Sequence, residues 1–130
     1  APLVETSVHL IFGSPTDSAN VFSDAAQFIN QSGAVGAKLH QLMVMQGAPL
    51  AERYQAAPFP TLELVEYARG VAAFVGQLEP RIYIERLFAT ATHPDECLAP
   101  EWSKTRWTPH NFIRNYLIEH DTRQGMFRNA

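Results

Sequence analysis

Cysteine is nearly missing from this chain: Cys97 stands alone among 130 residues. A single thiol excludes an intramolecular disulfide framework and fits a reducing, cytoplasmic setting. It also excludes a four-thiolate zinc or iron–sulfur site held by this chain alone. No apolar run approaches the roughly 20 residues that cross a bilayer, and Ala1 to Ser7 does not read as a signal peptide. Excess charge of one sign is missing too, with 10 Lys and Arg against 13 Asp and Glu and a formal net charge of −3. That balance removes any general electrostatic reason to expect nucleic acid or a membrane as partner, while leaving room for a local basic face. The phosphate-cradling patterns G-x-x-x-x-G-K-[ST] and G-x-G-x-x-G do not occur. What the chain does have is 46% hydrophobic and 11% aromatic residues, enough for one ordinary core.

Val8 to Phe12 reads as a short apolar strand closed by Gly13-Ser14-Pro15. Asp17 or Ser18 then caps a helix whose apolar positions Val21, Phe22, Ala25, Ala26 and Ile29 follow helical spacing, with Ser32-Gly33 as its stop. Ala37 to Met45 reads as a second strand, its apolar end at Leu42 to Met45 pointing to burial on both faces. Leu50 to Tyr54 makes a helical turn. Thr61 is the expected N-cap of a helix with the stripe Leu64, Ala68, Val71, Ala72, Val75 and Leu78, stopped by Glu79-Pro80. Arg81 to Phe88 alternates as a third strand, with Ile82, Ile84, Arg86 and Phe88 on one face. Ala89 to Trp107 is expected to be irregular, and Thr108-Pro109 opens a last helix that buries Phe112, Ile113, Tyr116 and Leu117. The pattern is α/β: a βαβαβ parallel sheet with right-handed crossovers and a C-terminal helical extension. The division expected is 1–88 for the sheet-bearing part and 89–130 for the extension.

Five phrases carry a resemblance. His9-Leu10-Ile11-Phe12-Gly13-Ser14-Pro15, Lys38-Leu39-His40 leading to Gln46-Gly47-Ala48-Pro49-Leu50-Ala51, Glu85-Arg86-Leu87, Leu98-Ala99-Pro100-Glu101-Trp102-Ser103 and Asp121-Thr122-Arg123-Gln124-Gly125 follow in that order. In this order they resemble a bacterial radical S-adenosylmethionine family, often called Fe-S oxidoreductases, related to the radical domain of Elongator-type proteins. The resemblance implies a partial TIM-type (β/α) barrel in which a [4Fe-4S] cluster binds S-adenosylmethionine and cleaves it reductively to a 5'-deoxyadenosyl radical. It further implies a C-x3-C-x2-C-type loop holding three irons through thiolates. That loop is not in this sequence, so the chain is expected to be the C-terminal part of such a barrel, without a cluster of its own and inactive alone.

The family's fifth-strand pattern, roughly G-x-I-x-G-x-x-E, falls on His9, Ile11, Gly13 and Thr16. The isoleucine and second glycine match, whereas the first glycine and the acid do not. The resemblance therefore assigns Ile11 and Gly13 to the adenosine side of the cofactor, joined by backbone and apolar contacts from Leu42, Met43 and Val44 at the end of the next strand.

His9, His40 and Arg86 are the candidates for substrate contact. Histidines at strand ends can point into a barrel, although a lone strand histidine is more often a hydrogen-bonded core residue. Arg86 on an apolar face is costly to bury unless it meets an anionic ligand or a carboxylate such as Glu85, Glu63 or Asp95. No residue is assigned a catalytic or metal-binding role. His93 and Cys97, with His110 and His120 beyond, match no strong metal spacing, and a metal-dependent hydrolase built on them is the third reading. The second is a non-catalytic α/β binding or assembly domain. Trp102, Trp107 and Tyr116 read as packing residues. A small-molecule or tRNA-related substrate is left open. As partner, the sequence points to the missing N-terminal half-barrel or to a second copy in a homodimer, because the apolar face of Leu10 and Phe12 on an unpaired first strand would need a cover.

Overall fold

The structure is a computed structural model that describes residues 4–127. The outermost residues of both expected parts, 1–3 and 128–130, lie outside it. Strand β1 (Ser7–Phe12) is followed by helix α1 (Val21–Ser32), strand β2 (Gly36–Gln41), strand β3 (Val44–Met45) and helix α2 (Pro49–Ala56). Helix α3 (Leu64–Gln77), strand β4 (Tyr83–Arg86), strand β5 (Cys97–Ala99) and helix α4 (Trp107–Glu119) complete it. The main sheet is parallel, in the order β1-β2-β4, the βαβαβ arrangement expected from the pattern.

One face of this sheet is packed and the other is open. Phe12 and Leu39 point to the helices, where they meet Phe22, Ala26 and Ile29 of α1 and Tyr67, Val71 and Phe74 of α3. The Phe12 ring stacks on Phe22 with centroids 4.0 Å apart. The apolar face of β1 thus packs within the chain against α1 and α3, in one core that also takes in Trp102 and Ile113, Tyr116 and Leu117 of the last helix. The residues that β1 leaves exposed are Ser7, His9 and Ile11, on the other side of the strand.

Several boundaries differ from the sequence expectation, each for a local reason. Asp17 does not cap α1; its carboxylate accepts hydrogen bonds from the Gly13 and Ser14 N–H groups at 3.0 and 3.1 Å, closing the turn after β1. The helix begins four residues later. Helix α3 is capped by Glu63 rather than Thr61, through a reciprocal box with Glu66. Its buried stripe also takes in Tyr67 and Phe74, and Ala72 is only half-buried. The Ala37 to Met45 run is two strands, because the chain leaves the sheet after Gln41 and Val44–Met45 pairs antiparallel with β5.

The third strand is only four residues long, and its pairing with β2 shifts between Ala37 and Lys38, so that Arg86, not Glu85, stands in register with Lys38. Cys97 lies on β5, buried, instead of in a loop. The last helix starts at Trp107, one residue before Thr108, and it buries Pro109 and Ile113 while Phe112 is exposed. Trp107, 63% exposed, is not a packing residue. Trp102 is one: its ring leans on Tyr67 and its Nε1–H donates to the Leu62 carbonyl at 2.9 Å.

Gln41 ties the layers together at the end of β2. Its buried amide donates to the Ala89 carbonyl at 2.6 Å and to Ser103 Oγ at 2.9 Å, and it accepts from the Ala89 N–H at 2.9 Å. A buried amide satisfied on both ends anchors the chain that follows β4 to the sheet.

Candidate functional site

In a parallel pair, residues in register share a face. His9 stands beside Lys38 and Ile11 beside His40, so alternation puts these four side chains together on the open face. Ile11 is 57% exposed, an apolar side chain presented to solvent from an edge strand of the sheet rather than from a loop. The His9 and His40 rings are tilted neighbours with centroids 5.6 Å apart. Lys38 reaches Glu85 at 3.9 Å, and Glu85 also accepts from the Tyr83 hydroxyl at 3.4 Å.

His40 is the electrostatically unusual member. Partial burial pulls its pKa below the ordinary 6.5, and the charges of Arg86 and His9 pull the same way. A hydrogen bond between Nδ1 and the Gln41 carbonyl, 2.6 Å, opposes them. The carbonyl can only accept, so Nδ1 carries the proton in this contact and the other ring nitrogen is free to accept from a ligand.

At the C-terminal end of β1, Gly13 has φ +112°, a conformation that side chains rarely adopt, and an added Cβ would press on Leu62 at 3.3 Å. Leu42 lies beside it and donates its N–H to the Phe12 carbonyl at 2.7 Å. Leu42 and Met43 are half-buried and remain available to a ligand, whereas the Val44 side chain is 0% exposed in a second small core with Ala51 and Ala99. Apolar contact by Val44, expected from the sequence, is thus taken up inside the protein. The structure brings His9, Ile11 and His40 together on one face and sets Gly13 and Leu42 at its end.

Arg86 stands in register with Lys38, its charge acts on His40, and it also lines a cleft between β4 and α4. Its Nε is buried without a hydrogen-bond partner, and none of Glu85, Glu63 and Asp95 pairs with it. Sequence reasoning missed Lys38 on the open face and the arginines of α4 along this cleft. The β2 register would have revealed Lys38, since it alternates with His40.

The residues present do not fit a [4Fe-4S] cluster. Such a cluster needs several thiolates, and the one cysteine of the chain is buried with its thiol against the Ala99 and Pro100 carbonyls. Burial also pushes that thiol's pKa up, the wrong direction for a ligand. Among the described residues no group of three or more His, Cys, Asp or Glu side chains is placed to hold a metal.

Residues 34–119 match the Radical_SAM C-terminal domain. The chain belongs to this family. It is 30% identical over 112 residues to Protein YhcC of Escherichia coli K12, covering 86% of this chain and 36% of that one. The uncharacterized protein MJ0486 of Methanocaldococcus jannaschii is 27% identical over 117 residues, covering 90% of this chain and 36% of its own. The fold is similar to that of Methanocaldococcus infernus Elp3 with an N-terminal deletion, with a TM-score of 0.78 at 14% identity over 93% of this chain and 28% of that one. The chain thus spans a little over a third of the curated relatives it matches. The radical SAM family implies S-adenosylmethionine and a [4Fe-4S] cluster in the parent enzymes. Among the described residues no helix is long and apolar enough to cross a membrane.

Proposed function

We propose that this chain is the C-terminal portion of a radical S-adenosylmethionine enzyme, supplying part of the adenosine pocket and of the substrate wall, and that it has no radical chemistry alone. The observation that carries this reading is the one-sided packing of the sheet. Helices bury Phe12 and Leu39 on one face, while His9, Ile11, Lys38 and His40 line the other. A sheet that exposes an apolar residue and two histidines on one face suits the inner wall of a barrel whose remaining strands come from elsewhere. The natural source is the rest of the barrel; a second copy of this chain, as a homodimer, is the alternative source.

In this reading Ile11 packs against the adenine, Gly13 lets backbone approach the nucleoside, and Leu42 and Met43 add apolar contact. His9 and His40 face the substrate, with the unprotonated nitrogen of His40 as an acceptor. S-adenosylmethionine, when bound to a cluster in the complete enzyme, supplies the radical. Residues 1–88 are then the barrel portion and 89–130 the extension that closes its outside.

Anaerobic reconstitution with iron and sulfide, followed by dithionite and S-adenosylmethionine, tests the claim of inactivity alone. No 5'-deoxyadenosine is expected. A stoichiometric, redox-active four-iron cluster in this chain that cleaves the cofactor would overturn the proposal.

A further inference from the structure

The cleft between β4 and α4 adjoins the open sheet face, with Glu85 and Arg86, the neighbours of Lys38, at the junction. It is an open groove of about 920 Å³, with a floor that includes Ile84, Ile113 and Leu117 and sides carrying Arg86, Arg106 and Arg114. Arg106, the residue just before α4, and His110 and Arg114 within it recur every fourth residue, which places them on one side of the helix. No carboxylate pairs with any of the three arginines among the described residues: Arg106 lies over the Trp107 ring, and the Nε of Arg86 is buried without an acceptor. Glu85, the one acidic residue at the cleft, is engaged by Lys38 and Tyr83. A chain with net charge −3 has thus gathered three guanidinium groups without a carboxylate partner among the described residues around one apolar hollow.

We propose that this cleft binds a soluble small molecule carrying a phosphate or carboxylate on an apolar body. A buried guanidinium nitrogen with no acceptor is a desolvated donor awaiting one, and Arg is the side chain best shaped for a forked contact with either anion. The apolar floor seats the rest of the ligand. The volume of the groove lies in the range of small-molecule sites, roughly 300–1,000 Å³, and the acidic balance of the whole chain argues against a membrane surface as the source of the anion.

The test is an NMR titration of the isotopically labelled chain with octyl phosphate below its micelle concentration, beside octanol, octylammonium and phosphatidic acid vesicles. Arg114→Gln, an exposed change, and Arg86→Gln are titrated in parallel. Saturable binding of octyl phosphate is expected, with shifts confined to β4, residues 87–90 and α4. Octanol and octylammonium should bind roughly tenfold more weakly or worse, and each variant should lose a similar factor, as expected for a charge-assisted hydrogen bond. Octylammonium or octanol binding as well as octyl phosphate, indifference to both substitutions, or capture by vesicles without binding of the soluble probe would each overturn the proposal.

Discussion

The imidazole rings of His9 and His40 stand side by side across two parallel strands, centroids 5.6 Å apart, on the only face of the β1-β2 pair that the helices do not cover. His40 titrates below the ordinary 6.5 because it is partly desolvated and because Arg86 and His9 oppose its protonation. Replacing His9 with Asn removes one opposing charge, so the His40 midpoint should move up, and Arg86→Gln should move it the same way. The C–H resonances of the His40 ring followed against pH measure both shifts. An unmoved midpoint in both variants would show that the three groups are not coupled.

The same depression makes stability depend on pH. With the folded pKa below the unfolded one, the unfolded chain binds the extra proton first. The contribution of His40 is complete above about pH 6.5 and is lost as pH falls from there through its folded pKa. Denaturant unfolding at pH 7.5 and 5 should show a smaller loss of stability for His40→Gln than for the parent chain. An equal loss in both would place the pH dependence elsewhere.

Gln41→Leu should destabilise the fold by about 2–4 kcal/mol, because it strands the Ala89 N–H, the Ala89 carbonyl and Ser103 in a dry interior. Urea unfolding checks the value. A loss below about 0.5 kcal/mol, typical of a surface change, would mean that water or a rearranged loop replaces the amide.

Gly70 sits on α3 where an added Cβ would come within 2.3 Å of the Phe22 ring. That ring cannot swing away freely, since it is stacked on Phe12 and edge-on to Tyr67. Gly70→Ala should therefore cost about 1–3 kcal/mol from overpacking, outweighing the gain of up to about 1 kcal/mol in helix propensity. Pairing it with Phe22→Leu should give a combined loss smaller than the sum. Additive losses in the double-mutant cycle would contradict the contact.

The parallel sheet, the two crossover helices and the family were legible before any coordinates, because the apolar spacing of Phe22, Ala26 and Ile29 and the phrases around Gly13 and Trp102 are local signals. Ile11, Gly13 and Leu42 were assigned by resemblance and His40 by its place near a strand end; the structure sets Ile11 beside His40 and Leu42 beside Gly13. Other features depended on long-range pairing. Val44 leaves the sheet only because β5, fifty residues on, offers it a partner, and nothing in the apolar run Leu42 to Met45 announces that break. Leu10 and Phe12 looked like an uncovered face because the sequence does not say to which side α1 folds. Arg86 was singled out by its type, but the register shift opposite Lys38 and the arginines of α4 that share its cleft become visible only when β4 and α4 are set side by side.

The most direct test of the central claim, that the open β1-β2 face is one wall of an adenosine site completed by other strands, is a titration of the labelled chain with S-adenosylmethionine. The account predicts weak binding, near the millimolar range for contacts without the cluster's chelation, with resonance shifts at Ile11, Gly13, Leu42 and Met43 that vanish in Ile11→Lys. Submicromolar affinity, or shifts confined to the cleft between β4 and α4, would contradict it.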